Sequence, residues 1–168
     1  MVNKDLILKL DAARDVADVF EVVKAAVRDA LGRSRAGLML GLSPLGFASQ
    51  GFVGAYHQMG SNLIVMNATL LKRIEQQSPD RLIPYTFHLL LHEYLHSLGV
   101  VDEPRTRATA LLVSTEIFGD EHIVTKIADN FEAFLPGLAH PGEGYQPPAS
   151  ADVTLIQGFD REATRYIG

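Results

Sequence analysis

The stretch Leu91-His92-Glu93-Tyr94-Leu95-His96-Ser97-Leu98-Gly99 contains His92, Glu93 and His96 in the order H-E-x-x-H. On a helix, residues four apart share a face. Both imidazoles would then point the same way, one turn apart, as two nitrogen ligands of a single metal ion require. Glu93 is placed to act on a metal-bound water rather than on the metal. The pattern therefore predicts a helix and half of a metal site, and it asks the rest of the chain for a third ligand.

Upstream, Ser78-Pro79-Asp80 marks the start of this helix, with Pro84 in its first turns where a missing N–H is tolerated. Gly99 stops it. Further back, Lys4 to Leu31 reads as helical, with Val16, Val19, Phe20, Val23, Val27 and Leu31 on one side and Asp15, Lys24 and Arg28 on the other. Asp11 or Asp15 would cap a restart within it. Ala36–Leu42 reads as a buried strand. Phe52–Gln58 and Asn62–Met66 read as a hairpin around Met59-Gly60-Ser61, and Asn67 caps a short helix over Ala68–Gln76. Downstream, helices are expected from Pro104 to Phe118 and from Glu121 to Leu135. The domain is thus expected over 1–135. Residues 136–168 form a Gly/Pro-rich tail packed on it, with a strand-like Val153–Ile156 able to lie along a sheet edge.

At 168 residues, 47% of them hydrophobic, one domain with a sizeable core is expected. A net charge of −5 without any basic run argues against nucleic acid. The absence of cysteine excludes thiolate ligands, so any zinc must be held by His and carboxylate. From Ala36 to Leu71 there is no Lys, Arg, Asp or Glu, but Gly41, Pro44, Gly46, Gly51, Gly54, Gly60, Asn62 and Asn67 break the run, which reads as buried strands with turns rather than a membrane span. Met1-Val2-Asn3-Lys4-Asp5 offers no apolar signal core, and a cytoplasmic protein is expected.

Two residues compete as third ligand. Asp102 completes H-E-x-x-H-x-x-G-x-x-D, the metzincin spacing with aspartate in last place. All four methionines precede the motif, however, where metzincins need one after it. Asp102 is also well placed as an N-cap before Glu103-Pro104. Glu116 lies twenty residues after His96, among Leu111, Leu112, Val113 and Ile117, on a helix that a short connection folds back on the first. This order resembles the gluzincins, whose zinc is held by two histidines and a glutamate. In them an aspartate four residues further on, here Asp120, orients the first histidine; capping of the next helix is the competing role.

The nearest likeness is to the minigluzincins, small soluble metallopeptidases. It rests on Gly54-Ala55-Tyr56-His57-Gln58, Asn62–Asn67, His92–Gly99 and Glu116–His122. The likeness implies an α+β, zincin-like fold: a small mixed β-sheet on a backing helix, with an active-site helix and a glutamate helix. It implies Zn2+ on His92, His96 and Glu116, with Glu93 as general base in hydrolysis of a peptide or unfolded-protein substrate. His122, Tyr145 and Tyr166 are candidates for stabilising the transition state. The alternatives are a latent form whose cleft the tail blocks, a metzincin-type site on Asp102, and a non-enzymatic module. His88 and His57 are expected to be structural or cleft-lining, and Arg105 and Arg107 solvated. Edge strands would allow self-association.

Overall fold

The computed structural model describes residues 2–141, 145–148 and 152–159. It is a mixed α+β protein in which helices predominate. Two helices open the chain, α1 (Lys4–Asp11) and α2 (Val16–Leu31). Asn3 caps the first and Asp15 the second, each accepting from the backbone N–H three residues on. Strands β1 (Met39–Ser43), β2 (Phe52–Val53), β3 (Ala55–His57) and β4 (Leu63–Asn67) follow. Then come α3 (Ala68–Gln77), a 3-10 turn over Pro79–Arg81 and α4 (Leu82–Ser97), which carries the histidine motif. The remainder is α5 (Glu103–Phe118), α6 (Ile123–Asp129), α7 (Phe131–Phe134), β5 (Leu138–Ala139) and β6 (Thr154–Leu155).

The main sheet has the order β3-β4-β1-β6. β1 and β4 are parallel, while β3 and β6 run antiparallel to their neighbours. The piece expected near Val153–Ile156 is β6, paired with β1 on the sheet edge away from β3. The helix expected over Glu121–Leu135 is two helices, because Asn130 adopts φ −151° and ψ 72°, outside the helical region.

α4 is the centre of the molecule. It packs against α2, α5 and α6 on one side and against β3 on the other. Accordingly it is buried nearly all round, and a helix without a polar face belongs in an interior. Phe20 of α2 meets the Tyr94 ring edge-on at 5.5 Å. Gly54, between β2 and β3, is required by close approach: a Cβ there would lie 2.7 Å from Leu89 of α4 and 2.9 Å from Leu138 of β5. The same glycine thus lets both the motif helix and the tail strand reach the sheet. β5 pairs in parallel with β2, through Phe52–Leu138 and Val53–Ala139, and draws residues 138–141 across the motif. Among the described residues no helix is long and apolar enough to cross a membrane.

Candidate metal centre

The site begins with how α4 ends. Gly99 has φ 98°, a conformation that strains any residue with a Cβ. Its N–H donates to the carbonyl of His96, and the Val100 N–H donates to that of Leu95. These two bonds are a Schellman motif, the standard way a helix closes on a left-handed glycine. The reversal brings the Val100 carbonyl back onto the helix end, where it accepts from His96 Nδ1–H at 2.7 Å. A carbonyl can only accept, so Nδ1 carries a proton and Nε2 is the nitrogen turned toward Glu103. Gly99→Ala should therefore do two things: lower stability by about 1 kcal/mol and weaken metal binding by loosening His96. Thermal melts and metal titration check this, and unchanged metal affinity would disconnect the turn from the site.

The same reversal sends the chain straight into α5. Asp102 caps that helix, accepting from the Arg105 N–H at 3.1 Å, and Thr106 Oγ1 ties the turn to Val100 and Asp102 carbonyls. Glu103, the first residue of α5, then reaches between the two histidines. Its Oε2 lies 3.0 Å from His92 Nε2 and its Oε1 2.8 Å from His96 Nε2. His92, His96 and Glu103 form a group that could hold a metal ion, with their ligand atoms within 4.8 Å of one another.

The structure brings Glu103, rather than Glu116 or Asp102, beside the two histidines. Glu116 is exposed on the last turn of α5, about 20 Å along the axis from Glu103 at ~1.5 Å per residue. The helix does fold back on α4, and its first turn presents Glu103 to the motif. Asp102 points to its own helix N-terminus, and Asp120 is exposed beyond the far end. His122 is the N-cap of α6, its Nδ1 accepting from the Val124 N–H, and Tyr166 lies outside the described residues. Tyr145 packs against Tyr56 of β3 with ring centroids 5.1 Å apart. Glu103 carried a signal in the sequence, a carboxylate in the first turn after a Schellman glycine, which the capping role of its neighbour overshadowed.

The donor chemistry fits a divalent cation. Burial holds His92 below the usual imidazole range, against the opposing pull of Glu103. Burial pushes the Glu103 carboxyl up, but hydrogen bonds from His92 and His96 and their charges outweigh it and leave it at about 2. The site therefore gathers two imidazoles and an ionised carboxylate, and a bound metal ion would displace the imidazole protons that face Glu103. Glu103 Oε2 and Oε1 lie 3.0 and 2.8 Å from the two imidazole nitrogens, and the ligand atoms of the three side chains lie within 4.8 Å of one another, so the carboxylate sits between the histidines.

Glu93 is 1% exposed and projects from the same helix. It accepts from the backbone N–H of His57 in β3, while its Oε2 has no hydrogen-bond partner among the described residues. Burial, and to a smaller degree the charge of Glu103, pushes its carboxyl well above the usual range. A buried carboxylate with one open oxygen and a raised proton affinity is suited to general-base work.

His140, which nothing in the sequence singled out, comes from the segment after β5. Its ring stacks on that of His92 at 3.7 Å and 10°, and meets Phe131 edge-on at 4.5 Å. It lies outside the metal-holding group and fixes the plane of the His92 ring. His88 is buried behind it, held down to about 3 chiefly by desolvation, and plays a packing part against His140 and Phe131. His57 lines the opening beside His96, its Nε2–H donating to the Ser61 carbonyl at 2.9 Å. No family model, curated protein or solved structure matches this chain.

Proposed function

We propose that the protein is a zincin-like metallopeptidase, in which His92, His96 and Glu103 hold Zn2+ and Glu93 is the general base. The observation that supports it most is the convergence of two imidazoles and a carboxylate, on one side of a buried carboxylate with an open oxygen. A His₂Glu set with its fourth position open is a catalytic zinc arrangement rather than a structural one. When bound, zinc supplies Lewis acidity, lowering the pKa of a water from ~15.7 to about 7 and offsetting charge on a polarised carbonyl. Glu93 takes the proton of the attacking water and returns it to the leaving amine. The His57 N–H keeps the Glu93 carboxylate oriented as it does so. His92 and His96 are the nitrogen ligands, the first held by the His140 ring and the second by the Val100 carbonyl. The proposed substrate is a peptide or unfolded polypeptide.

A second reading, a latent form, is favoured by the course of the tail. β5 pairs with β2, His140 covers one face of His92, and Tyr145 packs on Tyr56 of β3, all beside the helix a substrate would have to reach. One experiment addresses both readings: casein hydrolysis by the purified chain, by the chelated chain and by His140→Gly/Tyr145→Ser. Hydrolysis lost on chelation and restored by zinc is the expected result, and chelator-insensitive hydrolysis would remove the metal from the mechanism. Activity that appears only in the double variant would favour the latent form, and lower activity there with bound metal retained would eliminate it.

A further inference from the structure

We infer that the pocket beside His96 is a carboxylate-binding subsite, with Arg35 as its counter-charge. The inference rests on the peptidase reading only for calling its ligand a substrate. The pocket has a volume of about 210 Å³. That is smaller than the ~300–1,000 Å³ of sites for drug-sized ligands and suits a single amino-acid residue. His96 forms part of its wall, so whatever fills it lies next to the metal-holding group.

Among the described residues no Asp or Glu lines this pocket, whereas Arg35 does. The guanidinium is held in place by backbone oxygens: Nη1 donates to the Ser97 carbonyl at 2.7 Å and Nη2 to the Ser61 carbonyl at 3.3 Å. Its own backbone N–H is fixed by Tyr94 Oη at 3.0 Å. The side chain therefore bridges the end of α4 and the β3–β4 turn. Guanidinium has five N–H donors, and these two bonds leave the others for a ligand. No acidic side chain pairs with it among the described residues, and its charge reaches His57 across the pocket. A rigid, half-buried guanidinium with no acidic partner among the described residues is matched by a planar carboxylate, which it can bind through two parallel hydrogen bonds.

The rim is apolar. Met59 is 59% exposed and Val101 38%, large side chains left in water on either side of the opening, with Pro141 beside them. Together the parts describe a residue whose side chain or backbone rests on an apolar rim while its carboxylate meets Arg35. That carboxylate has two sources, the free C-terminus of a peptide or an Asp/Glu side chain. The first would make the protein remove residues from C-terminal ends, and the second would make it cut beside acidic residues.

Matched peptides separate these. The zinc-loaded full chain is assayed on peptides ending in leucine as free acid or amide, and on amidated peptides with Glu or Gln following the scissile bond. We expect at least a tenfold kcat/KM preference for the carboxylate member of one pair, and the pair that shows it identifies the source. Arg35→Gln, which still donates to a backbone carbonyl, should bring that ratio close to one, and Arg35→Lys should restore part of it. A purely structural Arg35 would lower both members equally and leave the ratio unchanged, which overturns the inference, as does the absence of preference in both pairs. Binding keeps the subsite testable even if no peptide is cleaved. N-acetylleucine should then perturb the Met59 methyl NMR signal more strongly than N-acetylleucinamide, N-acetylglutamate amide more than its Gln counterpart, or both, and Arg35→Gln should abolish the difference. Equal perturbation within both pairs overturns the subsite whatever becomes of the peptidase reading.

Discussion

Glu93→Gln is expected to lower peptide hydrolysis by about 10²–10⁴-fold, the range associated with loss of a general acid–base group, while leaving bound metal unchanged. Glutamine has the same shape, and its amide oxygen can still accept from the His57 N–H. What it lacks is the ability to take a proton. The substitution should also stabilise the metal-free chain. The folded-state pKa of Glu93 lies well above the ordinary value, so the unfolded chain ionises first as pH rises. Stability is therefore lost as pH climbs from the ordinary carboxylate range toward the folded pKa, and a neutral amide removes that loss. Metal analysis, peptide kinetics and thermal melts at pH 5 and pH 8 read all three effects. Hydrolysis persisting at the native rate would mean that another group is the base.

The second large effect is expected at Glu103. Glu103→Ala should reduce metal affinity by at least about 100-fold, beyond what loss of an outer supporting residue causes, and hydrolysis should fall with it. Glu116→Ala should leave both unchanged, since Glu116 is exposed at the other end of α5. Asp102→Ala is the informative middle case. It removes the cap that accepts from Arg105, at a cost of about 1 kcal/mol, and acts on the metal only by letting the first turn of α5 fray. Competition titration with a chromogenic chelator ranks the three. Retention of metal in Glu103→Ala together with its loss in Glu116→Ala would restore the gluzincin spacing and overturn the ligand set proposed above.

Much of the architecture could be read from local patterns. The caps at Asp15, Asn67 and Asp102 and the stops at Gly32, Gly99 and Gly119 are interactions within a few residues, so sequence reveals them directly. The break at Asn130 was not legible, because the apolar periodicity of α6 and α7 continues across it. The likeness to minigluzincins pointed to Glu116 because spacing along a chain stands in for distance only when the intervening turn has a known direction.

The sequence by itself determined that His92 and His96 share a helical face and that Glu93 lies beside them, because a spacing of four is set by the helix alone. It also determined that any metal must be held by nitrogen and oxygen, since there is no cysteine. Only the tertiary structure decided that Glu103 reaches both imidazoles, that His140, just after β5, returns to stack on His92, and that Arg35 faces the pocket beside His96. Each depends on where separate elements pack against α4. That packing is fixed by close approaches such as Gly54 against Leu89 and Leu138, which join residues distant in the chain and leave no periodic mark on it.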